Sequence, residues 1–139
     1  MDPLVKLQKR VIRNICYQPP RTHTDPLFAD LDILKINDLY KFQIAILMHK
    51  LVNDNSNNNN SHTFNSYNLS NQHTHNTRLS ANSNYYLRRP RTNLGLRSFD
   101  YAGPKLWQSV PTEIKNVKFS LFKHKYKQLL IQSYTNGSQ

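Results

Sequence analysis

The chain has 139 residues, of which 19 are Lys or Arg and 8 are Asp or Glu, so its formal net charge is +11. A single cysteine, Cys16, excludes an internal disulfide framework and a zinc site built from several cysteines. No apolar run approaches the roughly 18–20 residues of a transmembrane helix, and basic residues from Lys6 onward precede any run typical of a signal peptide. We therefore expect a protein of a reducing intracellular compartment, nucleus or cytoplasm left open, with a modest core and no membrane partner.

The positive charge is concentrated in the C-terminal part. Residues 1–52 hold eight basic and five acidic residues (+3), residues 53–77 hold only Asp54 (−1), and residues 78–139 hold eleven basic and two acidic residues (+9). Such an asymmetry favours a polyanionic partner such as RNA or DNA. The alternative is a solvated basic surface that only aids solubility.

The first predicted element is an amphipathic helix over residues 2–17. Asp2 can cap it, and a proline follows at the first helical position. At about 100° per residue one stripe is apolar, and we expect it to pack on a partner element: Leu4, Leu7, Val11 and Ile15. The opposite stripe is basic and is either solvated or phosphate-facing: Lys6, Lys9, Arg10 and Arg13.

Two more helices are predicted before a change of composition. A short helix spans about residues 24–31, and a longer one, capped at residues 37–38, reaches about Asn53 with a wide apolar surface. His49 on this helix is predicted to be a core-edge or surface residue and not a metal ligand. Twelve of the 32 residues at positions 53–84 are asparagine, so we predict a disordered insert over residues 53–77.

The basic C-terminal part, residues 78–139, regains regular structure. We predict a short extended segment around residues 85–101, with a possible strand at 96–101, and a break at residues 103–104. A short helix then begins at Pro104, and a last helix begins near Ser120. The predicted fold class is therefore mainly α: a small helical domain with a short extended or β segment and a long Asn-rich disordered insert.

No arrangement of residues indicates an enzyme. Asp30 and Asp32 would point about 200° apart on a helix and could not share a metal ion. His62, His73 and His75 lie in or beside the Asn-rich stretch and do not suggest a metal site. The chain has only three glycines and no phosphate-binding loop. We expect no catalytic residue, no metal, no cofactor and no small-molecule substrate.

A group of basic and aromatic residues is the positive functional signal. Guanidinium and ammonium groups pair with phosphates, and aromatic rings stack on unpaired bases. We expect the aromatic residues Phe99 and Trp107 to belong to the core, whereas the basic residues remain at the surface. The predicted nucleic-acid contacts are Arg78, Arg88, Arg89, Arg91, Arg97 and Lys105.

An ordered series of motifs resembles a known family. The series comprises residues 75–78 (HNTR), 89–95 (RPRTNLG) and 98–111 (SFDYAGPKLWQSVP), preceded by 7–13 (LQKRVIR) and followed by 122–123 (FK). It resembles the region downstream of the polymerase domain in reverse transcriptases of jockey-like, non-LTR retrotransposons. The resemblance covers nearly the whole chain apart from the Asn-rich insert.

The resemblance implies a detached, non-catalytic C-terminal fragment of an RNA-directed DNA polymerase. The family's Ala-Asp-Asp polymerase motif and its endonuclease domain are absent, and Met1 directly precedes the opening helix, as expected of a fragment of a transposable element. By resemblance the fragment lies beside the polymerase domain of the parent protein and helps to hold template RNA or target DNA. The alternatives are a structural docking module for the polymerase body and a relic without independent function.

Overall fold

The computed structural model describes residues 2–53, 87 and 90–136. This described part contains seven helices and no strand, which confirms the prediction of a mainly helical protein. The predicted disordered insert lies outside the described residues, apart from Asn53 at the end of a helix. The helices are α1 (Pro3–Ile15), α2 (Asp25–Asp30), α3 (Ile36–Asn53), α4 (Asn93–Arg97), α5 (Phe99–Ser109), α6 (Thr112–Lys115) and α7 (Phe119–Asn136).

The chain divides into two compact units. Unit 1 consists of Met1–Phe42 together with Lys123–Gln139, and unit 2 consists of Gln43–Phe122. The division passes through α3 and α7, so each of these helices supplies residues to both units. The segments predicted from composition, 1–52 and 78–139, therefore do not coincide with the compact units.

Helix α1 begins as predicted but turns a different face to unit 1. The backbone N–H of Leu4 donates to the Asp2 carboxylate at 3.0 Å, which caps the helix. Ile12 is buried, and the Gln8 side chain donates to the Leu34 carbonyl at 2.9 Å and accepts from the Ile36 N–H at 3.0 Å. The predicted buried stripe is instead 46–57% exposed: Leu4, Leu7, Val11 and Ile15. The prediction was wrong because Ile12, which lies about 100° around the helix from Val11, is the buried residue. Its burial determines which face of α1 points toward the core of unit 1.

Helices α1 and α2 both end in a Schellman turn without glycine. Tyr17 and Asp32 each have φ = 53°, the left-handed region that normally favours glycine. After α1, the Gln18 N–H donates to the Arg13 carbonyl at 2.9 Å, and after α2 the Ile33 N–H donates to the Phe28 carbonyl at 3.0 Å. These bonds satisfy carbonyls at the helix ends, so the turns persist despite the strain.

We expect Tyr17→Gly to raise the free energy of unfolding by about 0.5–1 kcal/mol, because relief of left-handed strain outweighs the added freedom of the unfolded chain. Tyr17 is 95% exposed, so its removal costs no packing. Gln18→Gly is the matched control, since no left-handed φ occurs there. Urea unfolding should show a lower free energy of unfolding for the control. If Tyr17→Gly also lowers it, the left-handed backbone of Tyr17 is not strained.

Tyr134 joins the buried parts of unit 1. Its ring packs edge-on against Phe28, with 6.4 Å between ring centroids, and both side chains belong to a core cluster with Ile12. Its hydroxyl donates to the Asp38 carboxylate at 2.8 Å and accepts from the Lys35 N–H at 3.2 Å. Burial, with the Asp38 carboxylate adding to it, raises the pKa of Tyr134. Residue 38 was predicted to cap α3, but the helix begins at Ile36 and the carboxylate serves this contact.

The segment predicted to be extended contains two helices where it is described, α4 and the start of α5, and only residues such as Thr92, just before α4, have extended backbone. Thr92 caps α4, its hydroxyl accepting from the Gly95 N–H at 3.1 Å, and Ser98 caps α5, its hydroxyl accepting from the Asp100 N–H at 3.3 Å. The predicted strand at residues 96–101 was wrong because these two polar residues satisfy the first backbone donors of two consecutive helices. Residues 85 and 86 lie outside the described part.

The predicted break at residues 103–104 was also wrong, since both residues lie inside α5 and are buried. A Cβ on Gly103 would come within 2.9 Å of the Met48 sulfur and 3.1 Å of the Phe99 ring. The glycine therefore permits the close packing that forms the core of unit 2, with Trp107 and Phe122 beside it. The free energy gained by burying this apolar surface offsets the loss of one helix hydrogen bond, which Pro104 cannot donate because it has no N–H.

Candidate nucleic-acid interface

Three of the six predicted nucleic-acid contacts can be placed. Arg91 precedes α4, Arg97 is its last residue, and Lys105 lies in the middle of α5; all three are exposed. Arg78, Arg88 and Arg89 lie outside the described residues. The placed residues all belong to unit 2.

Arg91 lies at a cleft formed by the turns that open α4 and α5. The cleft has a volume of about 360 Å³ and is lined by Arg91, Ser98, Asp100 and Tyr101, among others. Gly95 and Pro90 also line it, and a Cβ on Gly95 would come within 2.6 Å of Pro90 Cβ. The close approach of α4 to Pro90, the residue before Arg91, therefore depends on the absence of a side chain at position 95. We call this site the Arg91 cleft.

Lys105, on α5, contacts Tyr101, one of the residues that line the Arg91 cleft. It lies one helical turn after Tyr101, and its ammonium nitrogen is 5.4 Å from the centroid of the Tyr101 ring. A cation over an aromatic face at this distance is attracted to the ring. Tyr101 therefore lines the cleft that also carries Arg91 and has an ammonium near its ring, a combination of basic and aromatic groups that suits a phosphate chain passing an aromatic surface.

The local charge of unit 2 is positive. Its described residues include six basic side chains against the two acids Asp100 and Glu113. Asp100 lines the Arg91 cleft, but it also lies in the first turn of α5, where the helix dipole stabilises a carboxylate. Its negative charge partly offsets that of Arg91 within the cleft.

His49 is a buried structural residue. It is only 3% exposed, and its ring stacks on Phe122 with centroids 4.3 Å apart. Nε2 lies 2.9 Å from the Val117 carbonyl, so Nε2 carries the proton in the neutral ring and donates it. Burial lowers the pKa of His49, and the bond to the Val117 carbonyl opposes this only in part. The prediction of a core-edge or surface histidine understated its burial.

The lowered pKa of His49 predicts a loss of stability in acid. The unfolded chain protonates His49 near pH 6.5, whereas the folded chain resists protonation, so stability falls as the pH drops through about 6.5 and levels off below the folded pKa. Urea unfolding at about pH 7.5 and about pH 5 measures the difference.

Two substitutions distinguish the contribution of His49 to this pH dependence from the contribution of the other histidines. His49→Gln retains a donor for the Val117 carbonyl and should flatten the dependence on pH. His124→Gln removes an exposed histidine and should leave the dependence intact. A His49→Gln variant with the same acid dependence as the wild type would show that another group causes it.

The carboxylates and histidines of the described residues do not form a metal-binding group: nowhere there do three or more His, Cys, Asp or Glu side chains converge. Asp32, one of the two closely spaced acids, lies outside α2 and pairs with Lys127. In the same part of the chain no helix is long and apolar enough to cross a membrane.

A second basic cleft lies in unit 1. It has a volume of about 480 Å³ and is lined by Arg10, Arg13, Asn14, Gln18 and Pro20. We call this site the arginine cleft. The basic stripe of α1 was predicted from the sequence, but the contribution of residues 17–20 to this cleft was not. The signal was the arginine pair at positions 10 and 13, followed at the end of the helix by Tyr17 and by two prolines at positions 19 and 20.

Comparisons of the chain with protein-family models, with curated proteins and with solved structures give no match.

Proposed function

We propose that this chain is a non-catalytic nucleic-acid-binding module of the kind found downstream of the polymerase domain in non-LTR retrotransposon reverse transcriptases. It contacts the phosphate backbone of template RNA or target DNA. The parent protein is an RNA-directed DNA polymerase, and this segment supplies binding and no chemistry. The basic C-terminal part, with a charge of +9 over residues 78–139, provides most of the attraction.

The observation that carries this proposal is that Arg91 and Tyr101 line one cleft and that the Lys105 ammonium lies 5.4 Å from the centroid of the Tyr101 ring. Each type of side chain has a distinct task on a nucleic acid. The guanidinium can donate two parallel hydrogen bonds to a phosphate, the ammonium acts as a point charge, and the ring offers a stacking surface. These residues also belong to the motifs that carry the family resemblance.

The proposal predicts binding that weakens steeply with salt. If the six predicted residues each contact one phosphate, the slope of log K against log salt is about −4 on single strands and about −5 on duplex DNA. Arg91→Gln combined with Lys105→Gln removes two of these contacts and should make the slope shallower by about 1.5. Fluorescence anisotropy on the full chain over a salt series measures both values.

The matched control is Lys118→Gln, which removes a positive charge of unit 2 from a different cleft. It should leave the slope closer to that of the wild type than either Arg91→Gln or Lys105→Gln alone. A slope near zero for the wild type would refute nucleic-acid binding, because phosphate contacts must release counterions. Equal effects of the three single substitutions would show that only the overall charge matters.

The exposed apolar stripe of α1 favours a second candidate, a structural module that docks on the polymerase body. Leu4, Leu7, Val11 and Ile15 lie on one face of the helix and are about half exposed. On this alternative the isolated chain binds a dye for exposed apolar surface, and Leu7→Gln with Val11→Gln abolishes the signal. A monomer in sedimentation that binds no dye would contradict this candidate.

A further inference from the structure

We propose that unit 1 carries its own nucleic-acid contact, in which the arginine cleft holds one phosphate and Tyr17 stacks on an adjacent unpaired base. The ligand is a single-stranded RNA or DNA. The inference rests on the proposed nucleic-acid binding, but its residues are distinct from the Arg91 cleft and from the six named nucleic-acid contacts; for Arg10 and Arg13 the sequence left solvent and phosphate open.

The two arginines are suited to a phosphate. Arg13 is held in place because its Nε–H donates to the Thr22 carbonyl at 2.8 Å, which leaves its terminal nitrogens for a ligand. Arg10 lies one turn earlier on the same side of α1 and lines the same cleft. Within the described residues no carboxylate is within ion-pair distance of either arginine. Two guanidinium groups without acidic partners are a strong attraction for a phosphate.

Tyr17 supplies the aromatic surface. It is 95% exposed and directly precedes Gln18, which lines the arginine cleft. The Schellman turn holds its backbone at φ = 53°, a conformation that glycine adopts at less cost. An exposed ring on a strained backbone contributes no packing to the core of unit 1. Stacking on an unpaired base would cover the whole face of this ring.

The polar lining and size of the cleft favour a nucleotide over a bare anion. Asn14 and Gln18 offer amide donors and acceptors for the sugar or the base edge. The volume of about 480 Å³ falls within the range of sites that enclose whole small molecules, about 300–1,000 Å³. The cleft lies at the C-terminal end of α1, where the helix dipole disfavours anions, but the Schellman turn engages the carbonyls of Arg13 and Asn14.

Substitutions at Tyr17 and Arg10 in the full chain test the proposal against a labelled oligouridine and a DNA duplex. Tyr17→Gly should weaken binding to the single strand about five- to tenfold, with little effect on the duplex, which has no unpaired base. Since Tyr17→Gly is expected to raise the melting temperature, lost binding cannot be ascribed to unfolding. Tyr17→Phe keeps the ring and should bind as the wild type does.

Arg10→Gln should weaken binding to both ligands and make the salt slope shallower by about 0.7–0.9. Lys125→Gln, an exposed charge of unit 1 on α7, is the matched control and should have a smaller effect. If Tyr17→Gly binds oligouridine as tightly as the wild type, or Arg10→Gln matches the control, the inference is wrong while the proposed function stands. If the wild type binds neither ligand, the proposed function itself fails.

Discussion

Replacement of Phe122 by alanine is expected to lower the free energy of unfolding by about 3–5 kcal/mol, the usual cost of truncating a buried phenylalanine. Phe122 is fully buried and stacks on His49, and its ring centroid lies 5.8 Å from that of Trp107. The alanine leaves a cavity between His49 and Trp107, the only tryptophan of the chain. Since small domains have about 5–15 kcal/mol in total, the variant is expected to be close to unfolding at ambient temperature.

The fluorescence of Trp107 makes this loss measurable in unit 2. Urea unfolding followed by tryptophan emission should give a lower midpoint for Phe122→Ala with the same slope, as expected for a pure change in stability. Leu121→Ala is the matched control, because its side chain is 43% exposed on the same turn of α7. A loss for Phe122→Ala no greater than for Leu121→Ala would mean that Phe122 is not the centre of this core.

The second large effect is expected from Tyr134→Phe, which removes a single oxygen atom. That hydroxyl donates to the Asp38 carboxylate and accepts from the Lys35 N–H. Its loss leaves the Lys35 N–H without this acceptor and one Asp38 oxygen without this donor, although the other oxygen keeps its ion pair with Lys41. Hydrogen bonds to charged groups contribute about 1.5–3 kcal/mol, and we expect a loss in this range. The packing against Phe28 is retained, so the substitution isolates the polar contribution.

Far-UV circular dichroism during urea unfolding measures the effect of Tyr134→Phe. Tyr17→Phe removes the same atom from an exposed side chain of unit 1 and should change stability by less than about 0.5 kcal/mol. Combining Tyr134→Phe with Asp38→Asn gives a double-mutant cycle, in which a coupling energy near zero would show that the hydroxyl and the carboxylate do not act together.

The types of residue in the candidate interface could be predicted from the sequence, but their arrangement could not. The sequence identified Arg91, Arg97 and Lys105 as basic residues near aromatic ones. In the structure Arg91 and Tyr101 line one cleft, and the Lys105 ammonium lies near the Tyr101 ring. It could not be predicted that Lys105 lies over Tyr101, because this requires α5 to continue through Pro104. A proline inside a helix contradicts local propensity, and only the close packing of Gly103 against Met48 makes it favourable.

The arginine cleft was missed for a related reason. The basic stripe of α1 was plain in the sequence, but whether it faced solvent or a phosphate stayed open. The cleft forms only because residues 17–20 turn back beside the helix. The turn could not be predicted, because no glycine occupies the left-handed position where one is usually found. Tyr17 is held in the left-handed conformation by two hydrogen bonds, from its own N–H to the Asn14 carbonyl and from the Gln18 N–H to the Arg13 carbonyl, which outweigh its backbone preference.

By itself the sequence determined the helical class, the cap at Asp2, and a positive charge concentrated after residue 77. These follow from interactions between neighbours along the chain and from composition, which are local or additive. Only the tertiary structure decided that α1 buries Ile12 and leaves the stripe of Leu4, Leu7, Val11 and Ile15 exposed, and that residues from 123 onward join the N-terminal unit. An amphipathic pattern indicates which faces of a helix can be buried. Which face is buried depends on partners distant in sequence, here the Leu34 carbonyl and the Ile36 N–H, which form hydrogen bonds with the Gln8 side chain.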